Sequence, residues 1–298
     1  MDGAFSLLLV KPEPASALKR PFSWARAIFL IGLAAILLPT MYDVARLTWT
    51  TEQGGHAPII LATGAWLLWR ELKSNESLAR PANLPLGLVG LALCLTLYAA
   101  ARITGILELE SAGMYGSIIC AFYLVIGGPL LLALWFPVLY LAVALPPPDQ
   151  VVTFITQPLK IGISQTAVSF LHLLGYPVAS SGVTIQIANY ELFVAAACAG
   201  LNSIISLSAI CLFYVYLRHR SDAAAFLMVA ALVVPVAIFS NFVRVLVLVL
   251  ITYYMGEAAA QGFVHDFAGL VMFLVALLSI FGLDALFTKF RHRRAKQA

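Results

Sequence analysis

Three residues with reactive or charged side chains interrupt the apolar sequence: Cys198, Arg244 and His265. A cysteine thiolate is a nucleophile, a histidine carries a proton near neutral pH, and an arginine is a permanently charged hydrogen-bond donor. A nucleophile, a proton carrier and a donor for a developing oxyanion are together sufficient for acyl transfer. Because the three residues are far apart along the chain, this chemistry requires elements that bring them to one place.

Cys198 lies in the stretch VAAACAGLNSIISL, residues 194–207, at the start of an apolar segment. Unpaired N–H groups and the dipole at a helix N-terminus favour an anion, and therefore a reactive thiolate. The alternative is a small residue packed at a helix start. Asn202 and Ser203 follow within about one turn, and they either line the same pocket or pack. The other three cysteines lie in apolar runs and are expected to pack as small hydrophobic residues: Cys94, Cys120 and Cys211.

Arg244 stands in the almost entirely apolar stretch IFSNFVRVLVLVLITYYMG. A charge at membrane depth costs roughly 2.5–3.5 kcal/mol or more unless it is paired or hydrated. Asn241 lies about one helical turn earlier and is placed to bond either to Arg244 or to a substrate. The alternative for Arg244 is a position near a helix end from which its long side chain reaches the membrane interface.

His265 opens the stretch HDFAGLVMFL at the start of the last apolar segment. Taken alone, it is typical of a histidine at the membrane interface. Asp266 follows it and either orients the imidazole or caps the helix. His219 lies among basic residues and is expected to be solvated, and Glu110 is too isolated to belong to an acid/base pair.

The composition predicts an integral membrane protein. Only 11% of the 298 residues are charged and the mean hydropathy is +0.95, whereas soluble domains contain about 25% charged residues. A hydrocarbon core of ~30 Å requires about 20 helical residues, and several apolar runs reach that length. The predicted fold is therefore an all-α polytopic membrane protein with about eight transmembrane helices in one domain, residues 1–298. The predicted spans are 24–44, 56–70, 84–104, 112–127, 129–145, 199–217, 223–243 and 266–288.

Several breaker residues refine these elements. The GGP at 127–129 predicts a tight turn between the fourth and fifth spans. Before the sixth span, VVTFITQPLKIGISQTAVSFLHLLG predicts a short helix in the membrane interface, and VTIQIANYELFV predicts a short β-hairpin turning at Asn189-Tyr190. After the seventh span, residues 245–254 are expected to form a tilted continuation or a re-entrant segment, with Pro235 as the kink.

The distribution of basic residues predicts the orientation. With the N-terminus in the cytoplasm, most of the 18 lysine and arginine residues fall in cytoplasmic segments, as the positive-inside rule requires. Both termini are then cytoplasmic. The same orientation places Cys198, Arg244 and His265 on the outer face, although chemistry played no part in assigning it.

Cofactors, metals and nucleic acid are not indicated. The four cysteines form no CxxC pair and have no Cys/His ligand spacing, and no Gly-rich phosphate loop is present. Basic residues in a polytopic protein report orientation first, so a net charge of +4 does not indicate a nucleic-acid partner.

The motifs ACAGLNS, NFVR and HDFAG, in this order, resemble the exosortase and archaeosortase family of polytopic membrane transpeptidases. The resemblance covers about 150–288, and the earlier spans agree only in general character. The catalytic trio proposed for the family falls on Cys198, Arg244 and His265 here. Ala199 stands where serine is common after the cysteine.

The resemblance implies a protein-sorting enzyme in the bacterial inner membrane, with its active site on the periplasmic face. Its substrates would be exported proteins with a C-terminal signal: a motif such as Pro-Glu-Pro, a transmembrane helix and a basic cluster. Cleavage would form a thioester on Cys198, which transfer or hydrolysis would resolve. The family is linked to exopolysaccharide production, and some members carry an extra soluble domain; here such a partner is expected to be a separate protein.

Two other functions fit parts of the sequence. One is a non-enzymatic transporter or channel in which Arg244 binds an anion and Cys198 is only small. The other is a serine-type intramembrane protease that uses Ser203 with His265. The first predicts that function survives the loss of the thiol, and the second predicts indifference to thiol alkylation.

Overall fold

The computed structural model describes residues 24–49, 55–182, 184–187, 190–193, 201–256 and 263–297. Within these ranges the chain is almost entirely helical, with one small antiparallel sheet. The helices are α1 Trp24–Thr48, α2 Ala57–Ser74, α3 Leu84–Thr104, α4 Leu107–Ile126, α5 Gly128–Ala133, α6 Trp135–Ala142, α7 Asp149–Leu173, α8 Leu201–His219, α9 Ala223–Met255 and α10 Phe263–Gln297. The strands are β1 Val178–Ser181, β2 Thr184–Ile187 and β3 Tyr190–Phe193, and a short 3₁₀ helix spans Glu76–Leu78.

The predicted class, a polytopic helical membrane protein, is confirmed. Five helices in the described part of the chain are long and apolar enough to cross a membrane: α1, α3, α4, α9 and α10. The sequence predicts about eight spans, and the difference has physical causes. The fifth predicted span is divided into α5 and α6, of six and eight residues, each far shorter than the ~20 that a crossing requires. The apolar part of α8, Ile205–His219, is also short, and α2 ends in charged residues.

The chain divides into two compact units, one of residues 1–44 and 64–139 and the other of 45–63 and 140–298. The prediction of a single membrane domain stays a prediction. In the first unit, α3 and α4 approach closely because small residues line their contact. A Cβ at Gly113 would lie 2.7 Å from the backbone nitrogen of Tyr98, and one at Gly116 would lie 2.8 Å from the Cys94 sulfur.

An ion pair that the sequence did not indicate lies in this first unit. The Arg102 guanidinium is 2.5 Å from Glu110 and 3.1 Å from Asp43, and the Thr40 hydroxyl donates to Glu110 over 2.7 Å. Glu110 is only 5% exposed. The sequence does not indicate these partners of Glu110, because they come from positions that local spacing does not connect.

The tight turn predicted at 127–129 is confirmed by Gly127, which ends α4 and precedes α5. Its φ of +79° and ψ of 169° lie in a region that is essentially restricted to glycine. A Cβ there would also lie 2.0 Å from the carbonyl oxygen of Arg80, within the same compact unit. Both features exclude a side chain at this position.

We expect Gly127→Ala to lower the free energy of unfolding by roughly 3 kcal/mol, since it adds backbone strain and a steric clash. Gly105→Ala is the matched control, because Gly105 has φ +71° but no atom within 4 Å of the added Cβ. Its expected cost is about 1–2 kcal/mol. Thermal unfolding in detergent measures both, and equal losses for the two variants would contradict the role of the Arg80 contact.

The second unit contains two apolar cores, and α9 contributes to both. One core joins α7, β2 and α9 through Ile163, Ala167, Leu171, Ile185, Ile187, Val245, Leu248 and Val249. The other joins α8, α9 and α10 through Leu207, Cys211, Val215, Val229, Val233, Val236, Ala237, Ala276 and Ile280. Because both the earlier and the later part of α9 are packed in a core, its buried residues are held in fixed positions.

Ahead of α8, the predicted hairpin is confirmed as the antiparallel pair β2–β3, in which Ile187 lies opposite Tyr190. The sheet has a third strand, β1, that the sequence did not indicate, since Ala179, Ser180 and Ser181 are exposed and show no apolar alternation. The predicted interfacial helix is also longer than expected, because α7 continues through Pro158 for 25 residues.

The seventh predicted span, 223–243, is part of a longer helix, and of the two expectations for residues 245–254 the continuation is confirmed. α9 is one continuous helix of 33 residues that begins after the N-cap Asp222 and ends at Gly256, whose φ is +83°. At 1.5 Å per residue it is ~50 Å long, more than the ~30 Å hydrocarbon core. Arg244 therefore lies within a helix, and residues 245–254 continue it without re-entering.

Candidate active site

α9 carries two buried polar residues on one face. Asn241 and Arg244 are 2% and 5% exposed, and their spacing of three places both side chains on the same side of the helix. The neighbouring Val245 and Leu248 belong to the core shared with β2 and α7. The burial of Arg244 inside the protein does not fit the alternative of an arginine whose side chain runs along an exposed surface to the interface.

The side-chain oxygen of Asn241 is buried and accepts no hydrogen bond in the part of the chain that the structure describes. An unsatisfied buried acceptor costs about 1–3 kcal/mol, which is a large fraction of a protein's stability. Two roles were expected for Asn241: a hydrogen bond with Arg244 or one with a substrate. Its side-chain oxygen does not accept a bond from Arg244, so this oxygen is available to a donor outside the described residues, such as a substrate.

The other predicted site residues lie in the first turns of the two helices that pack against α9. Asn202 and Ser203 are in the first turn of α8, and His265 and Asp266 are in the first turn of α10. For these four residues the structure describes the backbone and not the side chains. Cys198 lies outside the described residues, three positions before α8.

The packing of α8, α9 and α10 brings these elements to the same end. In α8, Tyr214 and His219 both bond to Asp284 of α10, at sequence offsets of 70 and 65, so the end of α8 lies beside the second half of α10. Because α10 begins seven residues after Gly256, at the far end of α9, it runs antiparallel to α9 and therefore in the same direction as α8. The same offset places Leu201 level with the first turns of α10. α9 follows α8 after a short connection and runs antiparallel to it. Ala237 of α9 shares a core with Leu207, near the start of α8, and Arg244 lies two turns further along α9.

The sequence motifs do not indicate a cluster around Asp284. Asp284 is 3% exposed and accepts a hydrogen bond of 2.8 Å from Tyr214, while His219 lies 2.6 Å from its other oxygen. Arg218 is 3.9 Å away. The expectation that His219 is solvated was wrong. One signal was available, since Asp284 is an ionisable residue within an apolar run and such a residue requires a partner.

We expect Asp284→Ala to lower the free energy of unfolding by about 3 kcal/mol or more, because Tyr214 and His219 lose their acceptor inside the protein. The control is Asp43→Ala, which removes a carboxylate that is 37% exposed beside Arg102 and should cost less than about 1 kcal/mol. Thermal unfolding of both variants in detergent tests this expectation. A smaller loss for Asp284→Ala than for Asp43→Ala would contradict it.

Among the described residues no group of three or more histidine, cysteine, aspartate or glutamate side chains is placed to hold a metal ion. The other cysteines are on packed helices: Cys211 is 1% exposed in the core of α8, α9 and α10, and Cys94 and Cys120 are partly buried.

A family model described as transmembrane exosortase matches residues 48–282. No curated protein and no solved structure matches the chain. The matched range covers more than half of the chain and contains Cys198, Arg244 and His265.

Proposed function

The chain belongs to the transmembrane exosortase family, and from this membership we propose that it cleaves the C-terminal sorting signal of exported proteins through a thioester on Cys198. The chain is a multi-pass membrane protein of a family of sorting-signal transpeptidases.

In the proposed reaction the Cys198 thiolate attacks the carbonyl carbon of the scissile peptide bond. A sulfur–carbon bond forms, and the carbonyl oxygen becomes an oxyanion to which Arg244 donates a hydrogen bond. As the tetrahedral intermediate collapses, the carbon–nitrogen bond breaks and the departing amine takes a proton from His265. Water or an amine from an acceptor then attacks the thioester, gives its proton to His265 and releases the thiolate.

The observation that carries this proposal is the burial of Arg244. A guanidinium 5% exposed in an otherwise apolar helix is expensive to retain, so a function that needs a fixed positive charge is expected there. The helix that bears it shares a core with α8 and α10, which begin in the sequence three residues after Cys198 and two residues before His265. Asn241, Asn202, Ser203 and Asp266 are proposed to support substrate binding or orient the histidine.

The proposed orientation has both termini in the cytoplasm of a bacterium and the active site on the periplasmic face of the inner membrane. The distribution of lysine and arginine supports it. Exported proteins bearing the C-terminal signal are the proposed partners, and an exopolysaccharide-associated protein is a further one.

The test uses a tagged exported protein that ends in a Pro-Glu-Pro motif, a transmembrane helix and a basic cluster, co-expressed with this chain. We expect a shorter product on a gel and a new C-terminus near the motif by mass spectrometry. A substrate with the motif replaced by Ala-Ala-Ala is the control and should remain intact. No cleavage of either substrate would contradict the proposal and favour the transporter or channel. Cleavage that persists after thiol alkylation would favour Ser203 as nucleophile.

A further inference from the structure

The small sheet ahead of Cys198 has an open edge. Its strand order is β1-β2-β3, and within the described residues β3 pairs with β2 alone. An edge strand presents a row of N–H and C=O groups that an extended peptide can bond by adding a strand. The chain continues from the end of β3 at Phe193 to Cys198, five residues later.

β3 lies along the last part of α9. Ile185 and Ile187 of β2 are fully buried against Val245, Leu248 and Val249. The hydroxyl of Tyr190, at the start of β3, is 3.6 Å from the point where a Cβ added to Gly256 would lie, and Gly256 is the residue at which α9 ends. β3 also packs on α9 itself, and its partner strand β2 shares a core with Val245, so the hairpin covers the part of α9 between Gly256 and the residue next to Arg244.

The lengths of chain are compatible with a path to the proposed active site. Twelve residues of helix separate Arg244 from Gly256, which is ~18 Å at 1.5 Å per residue. Eight residues separate Tyr190 from Cys198, and in an extended conformation they cover up to ~26 Å at ~3.3 Å per residue. These lengths allow a peptide that extends beyond β3 to reach the level of Arg244.

The strand register indicates which backbone groups face the open edge. Ile187 and Tyr190 are opposite each other and flank a connection of two residues. In such a hairpin the two flanking residues exchange both backbone hydrogen bonds. Pairs alternate along an antiparallel ladder, so Leu192 also bonds β2. Glu191 and Phe193 then present their N–H and C=O groups to the open edge.

A second observation comes from Asn241, whose 2% exposed side chain holds an acceptor oxygen with no hydrogen bond in the described part of the chain. A carboxamide also has an N–H₂ donor, so it can bond both the N–H and the C=O of an extended peptide. Asn241 lies one turn from Arg244 and thus close to the level at which the peptide would be cleaved.

We propose that the sorting-signal peptide binds in an extended conformation as a fourth strand on the open edge of β3, with Asn241 bonding its backbone near the scissile bond. This inference rests on the proposed function and adds the mode of substrate recognition. A Pro-Glu-Pro motif is compatible with it. Backbone groups of alternate residues in an extended peptide face opposite edges, so two prolines that flank one residue remove N–H groups from the same edge of the peptide. The backbone N–H of the central glutamate faces the other edge and can still bond β3.

The test is an ester scan of a synthetic substrate that contains Pro-Glu-Pro and an apolar helix, processed by the wild-type protein in liposomes. Each peptide has one backbone N–H replaced by oxygen. Esters at the glutamate and two residues before it should each lower kcat/KM roughly threefold to tenfold, because each removes a bond to β3. An ester three residues before the glutamate faces away and is the matched control, with no expected change.

Glu191→Pro tests the same edge from the protein side. It removes an N–H at the open edge and keeps the ladder to β2, so processing should fall roughly tenfold while thermal stability changes little. Glu191→Ala keeps the N–H and should retain processing. If all three esters have the same effect, or none, the strand-addition inference is wrong and the proposed function stands. If the all-amide peptide is not processed, the proposed function is wrong and the inference falls with it.

Discussion

Replacing Cys198 by alanine is expected to abolish processing of the tagged substrate, with a loss of roughly a thousandfold or more. Removing the nucleophile of a covalent mechanism leaves only binding and oxyanion stabilisation, which accelerate hydrolysis far less. Cys198→Ser should also fail, because a serine hydroxyl is a much weaker nucleophile where the surrounding groups are arranged for a thiolate. The measurement is the fraction of substrate shifted on a gel after co-expression.

The control for this prediction is a variant with the other three cysteines replaced by alanine: Cys94, Cys120 and Cys211. Cys211 is 1% exposed in an apolar core, so its loss is expected to reduce stability slightly and not chemistry. The amount of each variant in the membrane is measured alongside processing. Processing by Cys198→Ala equal to that of the wild type would contradict the nucleophile assignment.

The helices and the hairpin could be predicted because their signals are local. Apolar length identified the long helices, and the β-branched alternation at 183–187 identified β2. The family could be predicted because three short motifs occur in one order. Cys198 and the side chain of His265 lie outside the described structure, so the roles of these two residues stay predictions.

The burial and the hydrogen-bond partners of individual polar residues could not be predicted, because they depend on residues distant in sequence. The ~20 residues that a crossing requires placed the end of the seventh span at 243, but Ser240 and Asn241 are buried by neighbouring elements and the helix continues to Gly256. In the same way, Glu110 and Asp284 acquire partners only through packing. Local polarity reports whether a residue prefers water and cannot report which helix covers it.

The double packing of α9 gives a reason for placing the charged residue there. Val245 and Leu248, immediately beyond Arg244, are fixed against α7 and β2, and Val236 and Ala237, before it, are fixed against α8 and α10. A guanidinium between two packed segments has little freedom to move. Such preorganisation is what stabilises a developing charge, because no reorganisation is needed as the reaction proceeds.

Arg244→Lys is expected to lower kcat/KM by roughly a hundredfold. Lysine keeps the charge but lacks the planar fork of fixed N–H donors that Arg244 would direct at the developing oxyanion. Arg46→Lys, at an exposed position near the end of α1, is the matched control and should have no effect. Steady-state processing in liposomes measures both variants, and full activity of Arg244→Lys would contradict a role for the planar fork.

The same variant distinguishes the two roles open to Arg244. If the guanidinium binds the oxyanion, Arg244→Lys lowers kcat, and its effect multiplies with that of a substrate in which the motif glutamate is replaced by glutamine. If it binds the motif glutamate, KM rises instead and the two changes together cost no more than either alone. Because the guanidinium is buried beside an unsatisfied Asn241 oxygen, we expect the first result, with Asn241 holding the peptide backbone while Arg244 stabilises the charge.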